Sequence, residues 1–346
     1  GNLTVDIEVC VGTPTGEWTA LSSEATTNIA EGTTLYLRTA SDTVLAKVAG
    51  GDAPHFTMTS EDGGFVEMGG NAMTLLDKTG KSRTVGGFAF DGLFLNCVNL
   101  ASVAANLLPA TNLASYCYSE MFKGCTALTG APKLLAENLT EGCYSGMFRD
   151  CTALATAPEL PVKTLTDFCY NQMFEGCTAL TAAPELPATT LATSCYAKMF
   201  NGCEKLSSVT VGFTSWLEGA TLNWLQGVAA KGTFLCPPEL AIERGESNIP
   251  NGWLVNPVKI AIGSLPAGIA EVTIENKTAG SGYEKTADGY LVSTNDTFQL
   301  TYVAVPGYVL DFTKSGDTTA EKAVTTVGTD ESADLKFPGA VLPDYL

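Results

Sequence analysis

One pattern of apolar residues recurs four times along the middle of the chain. Cysteine, tyrosine, methionine, phenylalanine and a second cysteine stand at positions i, i+1, i+4, i+5 and i+8 of each copy. The copies begin at Cys117, Cys143, Cys169 and Cys195. Their spacing is constant at 26 residues, and a degenerate earlier copy spans 90–97. A fixed period of this length is typical of repeat proteins, here with about five copies.

Each copy predicts a short helix followed by a short strand. The apolar spacing puts these side chains on one face of a helix, over 117–125 in the first regular copy. A glycine or aspartate stands where that helix would end in a left-handed residue, at Gly124, Asp150, Gly176 and Gly202. The second half of a copy, such as 153–161, is short and proline-rich, which favours one extended strand.

A helix and a strand of this size cannot bury their own apolar face, whereas stacked copies cover one another. The sequence therefore predicts an α+β repeat protein. Its centre, residues 86–256, is expected to form a right-handed leucine-rich-repeat-like solenoid of about five strand–helix coils.

The two flanks have a different pattern. Residues 1–85 alternate apolar and polar positions between glycine- and threonine-rich turns, which predicts an N-terminal β cap module. Residues 257–346 hold several strand-like runs separated by turn residues. They predict a small all-β domain, for which an immunoglobulin-like and a β-grasp-like arrangement both remain open.

The repeat resembles a known family. The copy at 169–191 matches, almost letter for letter, the BspA-like leucine-rich repeats of Bacteroides-type cell-surface proteins. Segments 32–38 and 70–76 resemble the N-terminal cap region of that family, and 232–234 with 248–253 resemble its exit motif. The resemblance implies a bacterial protein that is secreted or attached to the outer membrane, with a possible lipid anchor in the precursor. It also implies adhesion or host interaction.

Composition narrows the possible functions. With 37 acidic and 19 basic residues, the net charge of −18 disfavours nucleic acid and anionic membrane surfaces as partners. His55 is the single histidine, so triad hydrolases and histidine-ligated metal sites would all depend on one residue. We expect it to be an ordinary loop residue. The longest uncharged stretch, 93–119, is interrupted by asparagines and a proline, so no transmembrane segment is predicted.

Nine of the eleven cysteines form two columns of repeat-equivalent positions, and Cys10 and Cys236 stand apart. No C-x-x-C pair occurs, so we predict neither a metal site nor a cofactor. Reduced, buried cysteines are the favoured interpretation, with disulfides as the alternative. The tyrosine and phenylalanine columns are expected in the core rather than on a glycan-stacking surface.

Catalysis has little support in the sequence, and we predict that the protein is not an enzyme. No nucleophile elbow, P-loop or zinc-protease motif occurs. Paired acids such as those at 61–62 and 330–331 could in principle serve a glycosidase, but we expect them to be solvated turns.

The predicted function is adhesion to a protein or glycan partner. The expected place is the open strand face of the solenoid. Its candidate residues are Thr129, Lys133, Ala155, Glu159, Thr181, Glu185 and Ser207. Two alternatives are a carbohydrate-capturing or glycan-degrading accessory protein and a structural stalk or spacer.

Overall fold

A computed structural model describes residues 7–13, 15–21, 30, 33–40, 56, 64–77, 79–261, 265, 269–287, 289–294, 296–306, 309–311, 322–324 and 339–341. His55 and the acidic pairs at 61–62 and 330–331 lie outside the described residues. The chain divides into two compact units. The first comprises 1–229 and 237–248, and the second comprises 230–236 and 249–346.

The described residues form many short strands and no α-helix. The strands of the first unit are β1 (Ile7–Val11), β2 (Thr19–Leu21), β3 (Leu35–Thr39), β4 (Val66–Met68), β5 (Leu100–Val103) and β6 (Ser208–Thr210). Helical structure in the described part of the chain is limited to one 3-10 turn, Ala72–Leu75. No described helix is long and apolar enough to cross a membrane. The predicted α+β solenoid of strand–helix coils is therefore wrong, because the protein is nearly all-β with several small sheets.

Turns replace the predicted helices. In the first regular copy the Lys123 N–H donates to the Glu120 carbonyl at 3.0 Å, and the Cys125 N–H donates to the Phe122 carbonyl at 3.1 Å. Hydrogen bonds that join residues three apart close β-turns. In each copy every second N–H makes such a bond, so consecutive turns overlap. We call this stretch the turn segment of the copy.

The intervening N–H groups bind the next copy. The Tyr118 N–H donates to the Cys143 carbonyl at 3.1 Å, and the Phe122 N–H donates to the Met147 carbonyl at 2.9 Å. The same ladder joins each copy to its successor from 88 to 226. Because every interior N–H closes its own turn or reaches the next copy, the backbone is satisfied without a helix.

Backbone geometry explains why the helix cannot form. Every fourth residue has a positive φ, as at Tyr116 (56°), Glu120 (49°) and Gly124 (73°). A residue in this left-handed conformation interrupts a right-handed helix. Gly124 and its repeat equivalents are left-handed as expected, but they are recurring corners of the turn segment rather than helix ends.

The sequence predicts a strand in every copy, but most copies have none. The structure describes the whole of 104–207 and assigns no strand there, so strands occur only in the outer copies, as β5 and β6. Two isolated bridges in the described residues pair Thr84 with Asn112 and Leu186 with Val211. The proline in each of these segments lacks an N–H, which limits strand pairing.

The core of the first unit is a set of stacked columns. Five phenylalanine rings follow one another with centroids 5.6–5.8 Å apart, from Phe94 to Phe200. Four tyrosine rings, from Tyr118 to Tyr196, stack at 5.8–6.1 Å. The repeated methionines and cysteines are fully buried beside them.

Single residues close the two ends of these columns. Phe56 stacks on Phe94 at 5.9 Å, and its N–H donates to the Leu93 carbonyl. At the other end Trp224 follows the last tyrosine, and its indole N–H donates to the Asn248 carbonyl at 2.8 Å. Segment 237–248 thus takes the place of a further copy.

The second unit contains three antiparallel sheets and one parallel strand pair. Its strands are β7 (Thr233–Leu235), β8 (Leu254–Val255), β9 (Val258–Ala261), β10 (Ile269–Asn276), β11 (Tyr283–Thr286), β12 (Gly289–Val292), β13 (Phe298–Ala304), β14 (Val309–Asp311), β15 (Lys322–Val324) and β16 (Gly339–Val341). The antiparallel sheets have the orders β11-β12-β9, β10-β13-β15 and β14-β16, while β7 and β8 pair in parallel. Ile260, Val272, Tyr290 and Phe298 belong to its buried core.

Glycine substitutions at two adjacent residues test the turn segment. Gln172 has a φ of 55°, whereas Asn171 is not among the residues with positive φ. We expect Gln172→Gly to keep or raise the thermal midpoint, because glycine removes a left-handed cost of about 1 kcal/mol. Asn171→Gly should lower the free energy of unfolding by about 0.5–1 kcal/mol. Equal losses at both positions, as a helix would give, would contradict the turn geometry.

Candidate binding face of the repeats

The candidate residues follow the second cysteine of each copy. In the first regular copy the buried Leu128 anchors this segment, and Thr129 comes directly after it. The Thr129 N–H donates to the Ala101 carbonyl of the preceding copy at 3.0 Å, and its hydroxyl donates to the same oxygen at 3.1 Å. The backbone is therefore held against the neighbouring copy while the residue remains at the surface.

All seven predicted residues are exposed, although none of them lies in a strand. They form two columns of repeat-equivalent positions: Thr129, Ala155, Thr181 and Ser207 in one, and Lys133, Glu159 and Glu185 in the other. We call these seven residues the repeat face. The Ser207 N–H donates to the Thr181 carbonyl at 3.0 Å, so members of the first column lie on neighbouring copies.

Burial separates the positions that recur from those that vary. Four residue types that recur in the regular copies are fully buried, namely the cysteines, methionines, phenylalanines and leucines. The second column of the repeat face changes from lysine to glutamate and is exposed. Stacking therefore accounts for the recurring residues, and it places no demand on the side chains in the second column of the repeat face. In the first column the Thr129 and Ser207 hydroxyls donate to carbonyls of the preceding copy, so these two side chains also help to join the copies.

Sequence reasoning missed a threonine column beside this face. The Thr152 hydroxyl donates to the Thr126 carbonyl at 3.3 Å, and the Thr178 hydroxyl donates to the Thr152 carbonyl at 3.4 Å. The signal was present, because a threonine follows the second cysteine in three of the regular copies. These hydroxyls bind protein carbonyls, so their contribution is to join the copies.

Sequence reasoning also missed a partly exposed aromatic column. Phe88, Tyr116 and Phe168 occupy the first left-handed position of their copies, where other copies have Gly142 or Ser194. The available signal was the variation of this position between otherwise similar copies.

The cysteines are free thiols, and ten of the eleven are buried. In the second column the Cys125, Cys151 and Cys177 thiols each donate to a phenylalanine carbonyl of the preceding copy at 3.1 Å. Burial raises the pKa of the Cys125 and Cys203 thiols to about 12. Since the thiolate is the nucleophile and the metal ligand, these protonated thiols are unreactive.

The described residues hold no group of three or more His, Cys, Asp or Glu side chains placed to bind a metal ion. Comparisons with protein-family models, with curated proteins and with solved structures find no match for this chain. The resemblance to BspA-like repeats therefore stays a prediction.

Thiol labelling tests the burial of the columns. We expect a thiol-specific reagent such as Ellman's reagent to modify only Cys236, the one half-buried cysteine, in the folded protein. All eleven thiols should react once the protein is unfolded in guanidinium. A Cys236→Ser variant serves as the control and should show no reaction when folded. Rapid modification of further thiols in that variant would contradict the stacked arrangement.

The raised thiol pKa values also predict alkaline sensitivity. In the unfolded chain a thiol ionises near its ordinary pKa of about 9, whereas burial keeps the Cys125 and Cys203 thiols protonated to about pH 12. The free energy of unfolding should therefore be constant below about pH 9 and fall steadily above it. Chemical denaturation between neutral pH and pH 10 measures this. A midpoint that stays constant across this range would contradict the prediction.

Proposed function

We propose that this protein is an exported cell-surface protein that binds a protein or glycan partner through the repeat face and does no chemistry on it. The observation that carries the proposal is the exposure of all seven candidate residues in two columns along the stack, the second of which varies from lysine to glutamate. Exposed side chains that are regularly spaced along a stack of repeats are suited to contact a partner.

The arrangement favours an extended partner over a small one. Neighbouring copies lie 5.6–6.1 Å apart, as judged from the stacked rings of their cores. Each copy offers a short polar or small side chain in one column and a charged side chain in the other. Contacts of this kind are individually weak, so affinity requires a partner that meets several copies at once.

Cell-surface location rests on the resemblance of the repeat to BspA-like proteins. The net charge of −18 supports a protein that stays dispersed in solution and avoids anionic surfaces. We propose outer-membrane attachment or secretion as the setting in which the repeat face meets its partner.

Binding to fixed mammalian epithelial cells and to immobilised extracellular-matrix proteins tests the proposal. We expect saturable binding by the full chain and a loss of about tenfold in affinity for the variant Ala155→Arg/Glu159→Arg/Thr181→Arg, since bulky cations would cover the centre of the face. Glu204→Arg is the matched control, because it adds positive charge to an exposed position outside the face. Equal binding by both variants would overturn the assignment to this face, and absence of saturable binding would favour a structural stalk.

A further inference from the structure

The aromatic column identifies a second surface. We call Phe88, Tyr116 and Phe168 the aromatic strip. Each occupies the first left-handed corner of its copy, with φ values of 55°, 56° and 57°. Their position in the repeat differs from that of every residue in the repeat face.

The backbone conformation at this corner does not require an aromatic residue. Gly142 and Gly219 occupy the same position in other copies with φ values of 58° and 78°. For any residue other than glycine, this conformation costs on the order of 1 kcal/mol or more. The core does not require these rings either, because other positions supply its phenylalanine and tyrosine columns. Other left-handed corners carry Glu120, Gln172 and Lys198, so what sets the strip apart is that its side chains are partly exposed aromatic rings outside the core columns. Aromatic rings that lie together at the surface indicate a binding role.

The rings of the strip form a partly open platform. Phe88 and Tyr116 are parallel to within 6°, with centroids 5.1 Å apart, and 38% of Phe88 is exposed. Two rings in contact need only about 3.5–4 Å between their planes, so this pair is offset and each ring leaves part of its face uncovered. The Tyr116 ring extends over Gly142, where a Cβ atom would collide with it.

Hydrogen-bonding side chains flank the strip. The residue before each corner is polar in four successive copies: Ser115, Glu141, Asp167 and Thr193. The Tyr116 hydroxyl donates to Glu141 Oε1 at 3.0 Å, and Asp167 Oδ1 accepts from the Thr193 N–H at 3.0 Å. A carboxylate can accept several hydrogen bonds, so both acids keep capacity for a ligand.

We propose that the aromatic strip binds a neutral glycan chain that runs along the stack of copies. A pyranose ring has an apolar C–H face that packs on an aromatic ring, and a rim of hydroxyl groups that donate to carboxylates. The strip presents rings in three of its copies, and the acids Glu141 and Asp167 lie on the copies next to Tyr116 and at Phe168, so both kinds of partner are available along one line of the stack. The carboxylates and the net charge of −18 disfavour acidic glycans. The site does not depend on the repeat face.

Affinity gel electrophoresis with soluble xyloglucan, β-1,3-glucan and galactomannan tests the proposal. We expect at least one of them to retard the full-length protein, with no weakening at high salt because the ligand is uncharged. The variant Phe88→Gly/Tyr116→Gly/Phe168→Gly should lose binding by at least about tenfold. Glycine relieves the left-handed strain but removes the Phe88–Tyr116 ring contact, so the thermal midpoint of the variant is measured beside its binding, and binding is compared at a temperature where both proteins are folded.

Two control variants show whether glycan binding depends on the strip itself. Gln172→Gly changes a left-handed corner outside the strip and should bind as the parent does. The repeat-face variant Ala155→Arg/Glu159→Arg/Thr181→Arg should also keep its glycan binding, so the two sites can fail independently. The proposal is overturned if none of the three polysaccharides retards the parent protein, or if the triple glycine variant binds as tightly as the parent.

Discussion

The hydrogen bonds between successive copies are the constraint on which the repeat region depends. Alternate N–H groups of each turn segment donate to carbonyls of the next copy, as from Phe122 to Met147 at 2.9 Å. The remaining N–H groups close turns within the copy. This division leaves no interior backbone N–H of the turn segments unpaired, so a segment that an isolated chain would not hold becomes stable when it is stacked.

The same ladder determines which side chains the core accepts. Because each residue lies against its own equivalent 26 residues away, a core position must pack against copies of itself. Flat rings satisfy this by stacking, at 5.6–5.8 Å in the phenylalanine column. Cysteine satisfies it as a small apolar residue whose thiol also reaches a carbonyl of the preceding copy. All eleven cysteines are free thiols, so their abundance follows from packing rather than from disulfide bonds.

The sequence predicted the period, the core rows and the exposure of Lys133, Glu159 and the rest of the repeat face, but not the backbone between them. In a helix, positions i, i+4 and i+8 drift by about 40° per step, so all three still fall within an apolar stripe about 100° wide. Nine residues are too few to separate a period of 3.6 from a period of 4. The distinguishing signal was weak: left-handed corners carry glycine at Gly142 and Gly146, but glutamate and glutamine at Glu120 and Gln172.

The repeat face and the aromatic strip differ in the backbone conformation of their residues, and exposure therefore has a different significance on each surface. At Thr181 or Glu185 the backbone accepts almost any residue. The identity of the side chain there would therefore be selected only through binding to a partner. At Tyr116 the left-handed corner favours glycine, and an aromatic ring lowers stability unless something compensates for it. Other left-handed corners carry Glu120, Gln172 and Lys198, so the feature that distinguishes Tyr116 is its aromatic ring rather than the absence of glycine. The presence of three partly exposed aromatic rings on one strip is therefore a stronger indication of binding than the exposure of polar side chains, because an aromatic ring gains free energy when a ligand covers it.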